Sequence, residues 1–137
     1  MGKGMAKLNK ITGISPEQAV QLKSAGVTTI EKLLSHGDTR LGRKAIAQKA
    51  RINEKLVGKW VHHADFFRIK GIAGLKAELL EACGGPTVIT LAKQDPDMLY
   101  EKMVKLNSKK SMVERVPGMV QVRRWVKTAK KLKPVVK

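Results

Sequence analysis

The chain contains an internal repeat. The segment Ile11–Leu34 returns, without a gap, as Ile69–Ala92, and eight of the 24 aligned positions are identical: Ile11/Ile69, Gly13/Gly71, Ile14/Ile72, Ala19/Ala77, Leu22/Leu80, Gly26/Gly84, Thr29/Thr87 and Leu33/Leu91. Further on, Trp60-Val61-His62-His63-Ala64 is echoed by Trp125-Val126-Lys127-Thr128-Ala129. The offset grows from 58 to 65 between the two matches, so the second copy carries about seven extra residues, placed around Asn107–Pro117. Two copies of one supersecondary unit account for almost the whole chain.

Each copy opens on a hydrophobic residue and a glycine turn, then runs into a helical pattern. In the first copy Gly13 can adopt positive φ, Ser15 is a good N-cap and Pro16 suits the first helical position. Ala19, Val20, Leu22 and Ala25 then keep roughly helical spacing, and Gly26 ends the helix. The second copy reads Lys70-Gly71-Ile72-Ala73-Gly74, a helix through Ala82 or Cys83, then Gly84-Gly85 and a restart at Pro86-Thr87. Strand-like alternation is absent, so the chain is expected to be all-α. The spacing predicts helices over 16–25, 29–35, 43–51, 54–67, 73–82, 87–93, 97–106 and 119–132. It predicts a short turn near 111–116, a loop at Asn107-Ser108-Lys109-Lys110 and a basic tail from Pro134.

Gly13-Ile14-Ser15-Pro16-Glu17-Gln18-Ala19 resembles the helix-hairpin-helix signature, as does Gly71-Ile72-Ala73-Gly74-Leu75-Lys76-Ala77. The order of hairpin, Gly-Arg-Lys-Ala-Ile-Ala helix, Trp-Val-x-x-Ala-Asp helix, second hairpin and final Trp-Val helix is similar to a bacterial family of unknown function built from such repeats. That likeness spans roughly residues 8–132. It implies two tandem helix-hairpin-helix repeats packed as one compact helical domain, with repeats at 1–67 and 68–132 and a tail at 133–137. It also implies that hairpin amides and the following helix start cradle a nucleic-acid phosphate. The chain departs from the signature at the second glycine, which is Ser15 in one copy and Ala73 in the other. Where phosphate-binding hairpins often place lysine, it has Glu17 and Leu75. Glu17 repels a phosphate, so a purely structural first hairpin stays open. The second copy, flanked by Lys70 and Lys76, is the better binder.

A formal charge of +17 on 137 residues costs folding stability through self-repulsion and points to a polyanionic partner. From Lys102 to Lys137 there are 12 Lys or Arg against the single acid Glu114, so the C-terminal third carries most of the charge imbalance. No apolar run reaches the ~20 residues that span a bilayer, and no membrane association is expected. Met1–Lys10 lacks a signal peptide's apolar stretch, and Ala6 stands where a myristoylation motif wants Ser or Thr. The single cysteine, Cys83, fits a reducing compartment. The expected location is therefore cytoplasmic or otherwise intracellular with nucleic acid, and not secreted.

In the last helix Val122, Trp125, Val126, Ala129 and Leu132 fall on one face. Arg123, Arg124, Lys127, Lys130 and Lys131 occupy the rest, with no acid to balance them. A second basic cluster, Arg40, Arg43 and Lys44, sits near the start of the third helix, where phosphate contact and plain solubility are both open readings. Trp60 and Trp125 are expected to anchor cores, and scarce aromatics argue against single-strand recognition by stacking. Adjacent His62 and His63 point about 100° apart on a helix and cannot share a metal. No catalytic arrangement, metal site or cofactor fingerprint emerges, so no enzyme is expected. The leading expectation is a non-catalytic nucleic-acid-binding protein with DNA favoured over RNA and largely sequence-independent readout. Lys70, Gly71, Ile72, Ala73, Gly74, Lys76, Arg123, Arg124, Lys127, Lys130, Lys131, Arg43 and Lys44 are its candidate contacts. The alternatives are a structural RNA-binding or ribosome-associated protein, and an interaction scaffold for an acidic protein partner.

Overall fold

A computed structural model describes residues 7–137. The readings that rest on Met1, Gly2 and Ala6 lie outside them. Among the described residues there is no strand, and the chain is all-α. After a 3₁₀ turn at Leu8–Lys10 come α1 (Pro16–Ser24), α2 (Ile30–His36), α3 (Arg40–Ala50), α4 (Glu54–Phe66), α5 (Leu75–Ala82), α6 (Val88–Ala92), α7 (Pro96–Lys110) and α8 (Met119–Lys131). The chain divides into two compact units. The first runs to Asp65 and takes in Val135–Lys137; the second is Phe66–Pro134.

The repeated residues do the same physical work in each unit. Gly13 and Gly71 stand at φ +98° and +95°, and Gly26 and Gly84 at +85° and +91°. All four backbones lie where a Cβ is strained, which explains why glycine recurs there. The ends of α1 and α5 close alike. Val27 N–H reaches back to the Leu22 carbonyl at 2.9 Å, and Gly85 N–H to the Leu80 carbonyl at 3.0 Å, each just past the positive-φ glycine. Thr29 and Thr87 then cap α2 and α6 from nearly identical extended backbones, φ −137° and −135°, each hydroxyl accepting an N–H three residues on.

Packing follows from these constraints. In the first unit α1 and α2 both lie on α3, and Ile11, Leu22, Val27, Leu33, Val57 and Trp60 are buried. In the second unit α8 packs on α6 and α7, and α5 packs on α7. Phe66, Ile69, Ile72, Leu80, Leu91, Leu99, Met103, Val122 and Trp125 share one core there. Both tryptophans are therefore core residues, as their apolar neighbours led us to expect.

The structure corrects the sequence reading at three places. Asn107-Ser108-Lys109-Lys110 is not a loop but the last turn of α7. That turn is supported by two lysines at the negative end of the helix dipole and closed by Ser111 at φ +48°, whose N–H bonds the Asn107 carbonyl. The Asn107 side chain also grips the next segment, donating to the Val113 carbonyl at 3.0 Å and accepting its N–H at 2.8 Å. Second, α3 begins at Arg40 because Thr39 caps it through Gly42 N–H. Third, the C-terminal segment is engaged: Lys137 N–H donates to the Asp38 carbonyl at 2.6 Å.

A Cβ at Gly71 would sit 2.9 Å from Gln121 Nε2 and 3.1 Å from Trp125 Nε1, whereas at Gly84 it would meet nothing within 4 Å. Gly84→Ala should therefore cost the backbone strain alone, about 1–3 kcal/mol. Gly71→Ala should lose more, with the difference read from urea midpoints of the two variants.

Candidate nucleic-acid interface

The turn before α5 is fixed from beneath and open above. Ile69 and Ile72 are buried, and the Trp125 indole N–H donates to the Lys70 carbonyl at 3.1 Å. Lys70, Gly71 and Ala73 are exposed on the outer side, while Gly74 and Lys76 are half-buried. Gly74 holds φ +57°, ψ −127°, a conformation open essentially to glycine alone, and it is the N-cap of α5. Having no side chain, it offers no side-chain acceptor to the first turn of α5. Lys76 N–H donates to the Ala73 carbonyl at 3.2 Å and Ala77 N–H to the Gly74 carbonyl at 3.1 Å, so Leu75 N–H is the first-turn donor left without a partner among the described residues.

The corresponding turn in the first unit is closed chemically. Ser15 Oγ accepts Gln18 N–H at 3.1 Å, and the Gln18 side chain accepts Ser15 N–H at 2.9 Å. This reciprocal cap consumes donors that a ligand would need. Glu17 adds a negative charge in the same turn, which suits the helix dipole and opposes an anion. The two copies share the first glycine of the turn and differ in how the helix starts and in what it leaves available.

Beside the second turn lies an open groove of about 550 Å³. Gly71, Ala73 and Lys76 form one side, and Arg115, Gly118 and Gln121 contribute to the other. Gly118 caps α8, again with no side-chain acceptor for its amides. Two uncapped helix starts thus line one concavity, with Lys76 and Arg115 against the single acid Glu114. Sequence reasoning missed Arg115, Gly118 and Gln121, because they lie in or beside the extra segment that has no counterpart in the first copy. The growth of the offset from 58 to 65 was the available signal.

Along α8, Val122, Trp125, Val126 and Ala129 are buried while Arg123, Arg124, Lys127, Lys130 and Lys131 are exposed. Arg123 is partly neutralised: its Nη2 lies 3.1 Å from Asp97 Oδ1, with both side chains 58% exposed. The other four make no ion pair among the described residues. Arg43 and Lys44 belong to the first unit. The Arg43 guanidinium donates to the Gly37 carbonyl at 2.8 Å and the Lys137 carbonyl at 2.6 Å, and Thr39 takes the nearby Gly42 amide. Arg43 is thus tied into its own unit, while Lys44 is exposed.

Residues 12–132 match the family model described as Domain of unknown function (DUF4332). The chain belongs to this family. No curated protein and no solved structure matches it. The family match covers both units, with the turn, groove and α8 face just described. Among the described residues no helix is long and apolar enough to cross a membrane.

Asp97→Asn should release Arg123 and remove one opposing charge, so the variant should elute from immobilised heparin at higher salt than the parent. Because the pair is exposed, its loss should change stability by no more than about 1 kcal/mol. Unchanged elution would show that Arg123 contributes nothing to polyanion contact.

Proposed function

We propose that this protein is a non-catalytic nucleic-acid-binding protein, a tandem pair of helix-hairpin-helix units that grips backbone phosphates with its second hairpin and its last helix. The observation that carries the reading is the contrast between the two turns. The first closes its helix start with the Ser15 and Gln18 side chains, whereas the second uses backbone carbonyls for the Lys76 and Ala77 amides and leaves the Leu75 amide open beside Lys70, Lys76 and an open groove. A phosphate oxygen is a suitable acceptor for such donors, and the dipole of α5 favours its charge. Arg124, Lys127, Lys130 and Lys131 add an exposed row of cations on one helix. Readout is of backbone and shape, since phosphate contacts position a protein without specifying sequence.

DNA is the favoured polymer. The test is a titration of equal-length duplex DNA, single-stranded DNA and duplex RNA at several salt concentrations. If about six phosphates are engaged, log K for duplex DNA should fall against log salt with a slope near −5. Tighter binding to duplex RNA would move the assignment to a structural RNA-binding role. Failure to bind any of the three at moderate salt would overturn the reading and leave an acidic protein as the partner to seek.

A further inference from the structure

Three lysines on α7 stand apart from the interface described above. Lys102, Lys105 and Lys109 are spaced by three and four residues, which places them on one face of the helix. That face and the end of α5 border a shallow, open pocket of about 270 Å³, lined by the three exposed lysines, Leu106, Ala82 and Cys83. No carboxylate lines it. Glu101 precedes Lys105 by one helical turn, yet among the described residues no ion pair engages any of the three.

This arrangement is unfavourable in the empty protein. Like charges one helical turn apart destabilise a helix by about 0.2–0.5 kcal/mol per pair. Lys109 lies in the last turn of α7, where the dipole favours a cation, but Lys102 and Lys105 lie before it. Nor does the pocket supply its own counter-ion. Burial pushes the Cys83 thiol up, and the Lys102 charge opposes that only in part. The thiol is therefore protonated at neutral pH. A concave site with apolar walls and one sign of charge focuses potential on an incoming anion.

We infer that this pocket is a binding site for a phosphate group, with Lys102, Lys105 and Lys109 as its ligands and Leu106 and Cys83 as part of its lining. Its volume suits a small ligand or one moiety of a larger one. The phosphate comes either from a nucleic-acid backbone, extending the footprint of the interface proposed above, or from a free phosphorylated small molecule. Only the first source rests on the nucleic-acid reading.

The test uses the full chain and a K102Q/K105Q/K109Q variant, with a K23Q/K32Q/K49Q variant as the charge-matched control from the first unit. Calorimetric titration with tripolyphosphate at fixed ionic strength should show one binding equivalent in the parent and control that the pocket variant lacks. Backbone amide chemical shifts report the location: tripolyphosphate should move the Ala82, Cys83 and Leu106 signals in the parent but not in the pocket variant. If the source is a nucleic-acid backbone, duplex DNA should move the same signals. The pocket variant should then lose about 2–3 units of salt slope. Shifts with tripolyphosphate alone would assign the pocket to a free phosphorylated molecule. Equal tripolyphosphate binding by parent and pocket variant would overturn the inference, even where duplex DNA still binds. Conversely, tripolyphosphate binding that depends on these lysines, without any duplex binding, would keep the pocket and remove the nucleic-acid reading.

Discussion

The second unit depends on one hydrogen bond, from the Trp125 indole to the Lys70 carbonyl. A buried indole N–H needs an acceptor, and leaving one unmet costs about 1–3 kcal/mol. Here the acceptor is a turn carbonyl, so the bond joins α8 to the start of α5. The indole can approach only because the next residue, Gly71, has no Cβ to meet Nε1. Once α8 is held there, Val122, Val126 and Ala129 fall into the core that α6 and α7 complete. In the first unit Trp60 is likewise buried, and its Nε1 lies 3.9 Å from where a Gly13 Cβ would stand. That distance is ordinary contact, so close approach requires glycine at Gly71, whereas at Gly13 the positive φ alone does.

Given two copies of this frame, a change of one or two residues decides what each turn presents. Ser15-Pro16 lets α1 begin with its own acceptor in place, and Gln18 completes the exchange. Ala73-Gly74 supplies no side-chain oxygen, and the chain turns through a glycine-only conformation before α5 starts. Glu17 becomes Leu75 at the same repeat position, which removes a carboxylate from the helix start. These substitutions leave the equivalent glycines Gly13 and Gly71 within a few degrees in φ. The second copy thus keeps the glycine turn, starts its helix one repeat position later and differs electrostatically.

Local features were legible in the sequence where local chemistry fixes them. The all-α class, the Ser15 cap with Pro16 following it, the closing glycines, the buried tryptophans and the two faces of α8 all follow from spacing and cap chemistry. What was not legible depends on contacts and turn geometry that helical spacing does not encode. Asn107 latches Val113 across the end of α7, so a polar, lysine-rich stretch that reads as a loop is held as helix. Arg123 meets Asp97 from 26 positions away, which no helical wheel reveals. The groove wall at Arg115 and Gln121 comes from or beside the segment that makes the copies unequal. The second positive-φ glycine of the turn lies at Gly74 and not at Ala73, the position the family pattern suggests. The helix start is shifted with it.

Net charge alone does not separate the two units. The first holds 13 basic and 5 acidic residues, the second 15 and 6, so both are strongly positive. Both also expose cations that make no ion pair among the described residues, Arg40, Lys44 and Lys49 of the first unit among them. What differs is what surrounds the turn. In the first unit Arg43 is spent on two backbone carbonyls, and the turn amides on a serine and a glutamine. In the second, α8 exposes Arg124, Lys127, Lys130 and Lys131 with only the neighbouring Arg123 paired, and α7 gathers three lysines around a pocket without a carboxylate. A surface selected only for solubility intersperses both signs, because mixed charge avoids self-repulsion at no loss of hydration. Segregated, unpaired cations beside uncapped helix starts raise the energy of the free protein, and a bound polyanion lowers it again. The arrangement around the second turn, more than total charge, is therefore the physical reason to propose anion contact there.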